Sequence, residues 1–275
     1  MRSKVTAKRS QYRFDSLPQY SRWLRDTAPI WTYTNSREHE GEQDWDFATG
    51  YTKCEALARD GWLEGAQKAQ EALKTFSPTS PLPDVKTDFY GHRPHVARYC
   101  SGAPDSMIRY DREAQGGSGR VISLLVPISV NWMTRADRFA NFGVGVAQYV
   151  NQMETQGYRV EVHAGMAQEA RGHRMTCTVQ IKSADQPLDL AVMAFAIGHP
   201  AMFRRLGFAM IERSALPETA SYGMPEDMNA ADMLDAPNGL IVLNGATNSN
   251  EVARTPQAAL KYISECIEAA IEAQY

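Results

Sequence analysis

Cysteine is scarce in this 275-residue chain, and the four present, Cys54, Cys100, Cys177 and Cys266, are far apart. They form no CxxC pair and no Cys/His ligand spacing, which excludes a disulfide framework and a structural zinc site and fits a reducing compartment. Long apolar runs are missing too. The longest is broken at Pro127 and is far shorter than the ~20 residues that a bilayer-spanning helix needs. The first ten residues carry charge without the apolar stretch of a secretory signal. A soluble, cytoplasmic protein with no membrane partner is expected. Catalytic signatures are equally thin: there is no G-x-x-x-x-G-K-[ST], no G-x-G-x-x-G and no G-x-S-x-G. The six histidines stand in no triad order. His92 and His95 have ligand-like spacing, but Pro94 lies between them and no third ligand is spaced to help. No catalytic residue, metal or cofactor is expected, and an enzyme is the least supported class.

What the chain does contain is a clear strand and helix pattern from Gly119 onward. Val121–Val130 is apolar on both alternating faces, as a strand covered on two sides should be. From Ala136 the period changes to 3.6: Phe139, Gly143, Val146, Ala147, Val150 and Met153 share one helical stripe, and Gly157 stops it. Gly143 and Gly145 inside that stripe point to close packing. Tyr158–His163 reads as a short strand. His173–Lys182 alternates strictly, with one apolar and one wet face, as an edge strand does. Two apolar helices follow over 188–212, then a long acidic loop over 215–238, a buried strand over 239–244, and a last helix capped by Thr255 with Pro256 in its first turn. The expected fold is α/β: a mostly parallel open sheet with an antiparallel hairpin edge, over 119–275. Residues 1–118 form an irregular, partly helical extension.

That extension is electrically distinct. Met1–Arg25 holds seven basic residues against one acid, Asp15, whereas Glu212–Tyr275 holds ten acids against three basic residues. The arm interleaves its cations with rings. Arg2, Lys4, Lys8, Arg9, Tyr12, Arg13, Phe14, Arg22 and Trp23 are the types that contact single-stranded nucleic acid, cations tracking phosphates while rings stack on bases. The same residues also suit an arm whose aromatics pack on the domain while its charges stay solvated. A second candidate surface is the carboxyl edge of the sheet, where open α/β sheets meet ligands. Ser129, Asn131, Thr134, His163, Asn244, Thr247 and Asn248 fall there. The plainer reading makes them caps and turn residues.

The order strand, helix, hairpin, helices, strand, helix resembles the core of a von Willebrand factor A domain, a Rossmann-like sheet. That family binds a divalent metal through Asp-x-Ser-x-Ser after the first strand, where this chain reads Ser129-Val-Asn131-Trp-Met133, with no aspartate. The resemblance thus implies a metal-independent protein–protein adaptor working from the same edge. The segments Arg135-Ala-Asp-Arg138, Gln156-Gly-Tyr-Arg-Val-Glu-Val162 and His199-Pro-Ala-Met-Phe-Arg-Arg-Leu206 also look like a group of tailed-bacteriophage proteins. This second resemblance covers roughly 89–275. It implies a non-enzymatic DNA-transaction factor in the host cytoplasm that binds single-stranded DNA and assists or recruits an RNA polymerase. Self-association is left open.

Overall fold

Alternation of apolar residues on both faces makes Val121–Pro127 a central strand, and the change of period at Ala136 makes 136–155 a twenty-residue helix beside it. In the computed structural model the described residues are 1–31, 47, 49–74, 85–90, 93–94, 96–110, 121–130, 134–218, 222, 224–244 and 252–272. In chain order the elements are β1 (Arg2–Val5), β2 (Arg9–Phe14), α1 (Leu17–Asp26), α2 (Tyr51–Asp60), α3 (Leu63–Lys74), β3 (Val85–Asp88), β4 (Arg93–Pro94), α4 (Val96–Cys100) and β5 (Met107–Tyr110). They continue with β6 (Val121–Pro127), α5 (Ala136–Thr155), β7 (Arg159–Ala170), β8 (His173–Lys182), α6 (Leu190–Gly198), a π-helical turn over Met202–Gly207 and α7 (Phe208–Arg213). Last come β9 (Met224–Pro225), a 3-10 turn over Ala230–Asp232, β10 (Ile241–Val242) and α8 (Pro256–Glu272).

The main sheet runs β1-β2-β8-β7-β6-β10, with β9 beside the far end of β7; β3, β5 and β4 form a separate three-stranded sheet. The parallel pair β6/β7 and the hairpin β7/β8 stand as the sequence pattern implies, the hairpin turning at Arg171 and Gly172, both at positive φ. Two expectations are corrected. The main sheet is mixed: β1/β2, β7/β8 and β7/β9 are antiparallel, while β2/β8, β6/β7 and β6/β10 are parallel. The hairpin is not the edge, because β2 adds in parallel to β8 and β1 adds outside β2. The N-terminal arm is therefore a component of the main sheet. Tyr12 and Phe14 supply the reason: they alternate with Gln11 and Arg13 and sit opposite Cys177 and Val179 on the buried face.

Helices α1, α2, α3, α5, α6, α7 and α8 contribute to the core on one side of this sheet. Ile122, Leu124 and Val126 of β6, Val160, Val162 and Ala164 of β7, and Met175, Cys177 and Val179 of β8 join the helices in one continuous core. The two glycines of α5 allow close contact there. A Cβ on Gly143 would collide with Gly198 Cα in α6, and one on Gly145 would lie 2.8 Å from Ala259 Cβ in α8. Capping follows local chemistry: Ser16 Oγ accepts from Gln19 N–H, Asp189 from the N–H groups of Ala191 and Val192, and Thr255 from Ala258 N–H.

The opposite side of the sheet carries a covering strap, with one 3-10 turn at Ala230–Asp232, in place of α-helices. Residues 226–240 lie on it, and Met228 and Met233 pack with Leu125 and Ala167 in a second, small apolar cluster. For this reason the polar face of β8 is covered rather than wet: Thr176 and Thr178 are fully buried.

Candidate functional site

Of the six arm cations expected to meet phosphates, three, Arg2, Arg9 and Arg13, are turned onto the strap. Arg2 donates to Asp15 at 2.6 Å and to Asp235 at 2.9 Å. Arg9 reaches Asp232 at 2.5 Å and the Ala231 carbonyl at 2.8 Å. Arg13 donates to the carbonyls of Leu234 and Asp235, both at 2.6 Å. From β8, Arg174 completes the row with two bonds to Asp232 and one to the Asp227 carbonyl. Asp232 is thus a fully buried carboxylate held by two guanidinium groups, and it also closes a capping box with Asn229. Burial lowers the pKa of Arg13, with Arg2 adding like-charge repulsion. Tyr12 and Phe14 are buried, Phe14 meeting Tyr20 edge-on at 5.0 Å, while Trp23 is partly buried against both. Lys4, Lys8 and Arg22 remain exposed. Rings and cations of the arm therefore do not share one accessible surface.

The carboxyl-edge set is also divided. Ser129 and Thr134 are buried, and the Thr134 carbonyl accepts from Arg204 at 3.2 Å. Asn244 clasps the strap, accepting from Met228 N–H at 2.9 Å and donating to the Met228 carbonyl. Asn131, Thr247 and Asn248 lie outside the described residues. His163 is not at an edge at all: β7 runs on to Ala170, which leaves this residue in mid-strand. There it joins a polar group on the strap side of the sheet. Glu161 accepts from His163 Nε2 at 2.8 Å, Gln180 Nε2 at 2.8 Å and Ser123 Oγ at 3.1 Å. The His163 bond is the main influence holding the Glu161 carboxyl below its ordinary pKa.

In a different part of the molecule large rings are left in solvent. In the small sheet, β3 and β4 pair antiparallel to β5, with Lys86 opposite Arg109 and Arg93 opposite Ile108. At the end of β3, Phe89 and Tyr90 are 72% and 65% exposed, and Tyr99 of α4 is 67% exposed. Arg98, beside Tyr99, donates to Asp105 at 2.5 Å. Among the described residues these are the large aromatics left most open to solvent. The sequence pattern drew attention in this stretch only to His92 and His95; Phe89 and Tyr90 follow β3 in a bend, where no apolar period marks them.

Among the described residues no group of three metal-ligating side chains occurs, and no helix is long and apolar enough to cross a membrane. One family model, described as a domain of unknown function (DUF7192), matches residues 2–266. No curated protein and no solved structure matches the chain.

Proposed function

On the premise that the chain belongs to the DUF7192 family, whose model takes in the arm, the small sheet and the α/β core alike, we propose a non-enzymatic role in binding single-stranded DNA through the small sheet. The observation that carries this reading is the exposure of Phe89, Tyr90 and Tyr99 in a stretch that also holds Lys86, Arg93, Arg98 and Arg109. A flat ring left in water loses the burial that stabilises aromatic side chains elsewhere, and a nucleobase offers a matching apolar face. Stacking is tolerant of sequence, and each stacked base contributes about 1–3 kcal/mol. The cations supply the phosphate contacts. This places the rings on 85–110, while the arm contributes at most its exposed Lys4, Lys8 and Arg22.

The test is fluorescence anisotropy of a labelled oligothymidine with the full chain, at low and at physiological salt. Phe89→Ala/Tyr99→Ala should weaken binding about tenfold or more while leaving the salt slope unchanged, since rings hold no counterions. Lys86→Ala should lower the slope by roughly 0.7. Absence of binding at low salt, or affinity indifferent to the two rings, would remove the proposal. Assistance to an RNA polymerase, phage origin and a von Willebrand A-like ancestry of the core are finer parts of the same reading. Co-purification with a polymerase would support the first. The adaptor reading instead predicts a protein partner retained by Phe89→Ala/Tyr99→Ala and indifferent to oligothymidine.

A further inference from the structure

Four arginines from three strands, Arg2, Arg9, Arg13 and Arg174, converge on the strap side of the sheet, and each binds the strap over 226–235. The strap does not satisfy them fully. Asp232 and Asp235 are the two strap carboxylates that bond to the row, so Arg13 is held by two carbonyls and by no carboxylate. Beneath the strap the Nε atoms of Arg9 and Arg13 and the hydroxyl of Thr178 are buried without a hydrogen-bond partner. Arg13 is only 8% exposed and Thr178 is fully buried. Leaving a buried donor unpaired is unfavourable, and a ligand that supplies several acceptor oxygens with a full negative charge each would correct the shortfall. Exposed Lys4 and Lys8 extend the basic row on the same hairpin.

We propose that this arginine-lined face is a binding surface for a chain of phosphates, and that the acidic strap occupies it as an intramolecular substitute until such a ligand displaces it. Phosphate oxygens accept forked bonds from guanidinium groups in the geometry that Asp232 uses with Arg174. The strap's apolar hold is small, resting on Met228 and Met233, with Ala236 and Leu240 partly buried beside them, against Leu125 and Ala167, so its retention depends largely on ion pairs and backbone bonds that a polyanion can replace. The inference does not require the small-sheet contact.

The experiment uses the full chain, with polyphosphate as one probe and oligothymidine of equal phosphate number as the other. Polyphosphate has no bases, so failure of the stacking proposal leaves this result intact. The strap variant is Glu226→Gln/Asp227→Asn/Asp235→Asn. It spares buried Asp232, and asparagine suits position 235, where φ is +50°. Its charge-matched control is Glu218→Gln/Glu265→Gln/Glu268→Gln. The strap variant should bind polyphosphate more tightly than wild type, by about 1.5- to 5-fold for the lost Arg2–Asp235 pair alone. The control should not. Saturating polyphosphate should also speed hydrogen exchange at the amides of Glu226 and Met228, which are bonded to Ala167 and Asn244 outside the strap. If both probes bind, a nucleic-acid strand is a source of the phosphates; polyphosphate alone would assign free phosphate chains. Equal gains in both variants, or strap exchange unchanged at saturation, would overturn the proposal.

Discussion

Replacing Phe14 by alanine separates the two roles that its sequence neighbourhood allows. The ring is fully buried between β8 and α1, edge-on to Tyr20 at 5.0 Å and tilted against Trp23 at 5.5 Å. Truncation removes its transfer free energy and leaves a cavity whose walls, a strand and a capped helix, cannot collapse freely. Phe→Ala in such sites costs about 3–5 kcal/mol. Loss of two aromatic pairs places Phe14→Ala in the upper part of that range, since each pair contributes roughly 0.5–1.5 kcal/mol beyond area. Urea unfolding followed by tryptophan fluorescence and by circular dichroism gives the stability change, read from the midpoint at constant slope. Oligothymidine affinity is then measured under conditions where the variant remains folded. The expected result is a large loss of stability with affinity unchanged. A loss below about 1 kcal/mol, or weakened DNA binding by a folded Phe14→Ala protein, would refute the packing of the arm described above.

Asp232→Asn removes the carboxylate that holds Arg9 and Arg174 and should cost about 3–5 kcal/mol by chemical denaturation, because two partly buried guanidinium groups lose their counterion; a change near zero would mean that the strap is not anchored there. Gly143→Ala forces a methyl against the α6 backbone at Gly198 and should destabilise by about 1–3 kcal/mol despite alanine's better helix propensity, whereas a stabilised protein would contradict the close helix contact. His199 is buried beside Phe47, Trp62 and Phe195, and burial, with Lys53 adding to it, lowers its pKa from 6.5 to about 3. A folded value below the unfolded one means that unfolding takes up a proton. The contribution of His199 is therefore complete above pH 6.5 and declines as pH falls toward 3, by about 1.4 kcal/mol per pH unit. Urea midpoints at pH 7, 6 and 5 should fall more steeply for wild type than for His199→Gln, and parallel curves would refute the assignment.

Local pattern determined the parts of this protein whose residues meet neighbours close in sequence. The 3.6-residue stripe from Phe139 to Met153 marked α5, Thr255 and Pro256 marked the start of α8, and the glycines at 143 and 145 marked a close contact. The β6, β7 and β8 order was legible because a helix and a tight hairpin connect them, and such connections restrict pairing. What lay beyond reach depends on pairings across more than 150 residues. Strand β2 carries as many charges as a solvated arm because its outward positions, Arg9, Gln11 and Arg13, are matched by Ala231, Asp232, Leu234 and Asp235 from the far end of the chain. The polar face of β8 has the same explanation: alternation in a strand reports that two faces differ, and it is silent on whether the polar one meets water or a charged strap. Likewise, composition showed that rings and cations coexist, but only tertiary packing decided that Tyr12 and Phe14 are buried while Phe89, Tyr90 and Tyr99 stay in solvent. Burial is set by which surfaces the folded chain brings together, and that is not a property of any residue's immediate neighbours.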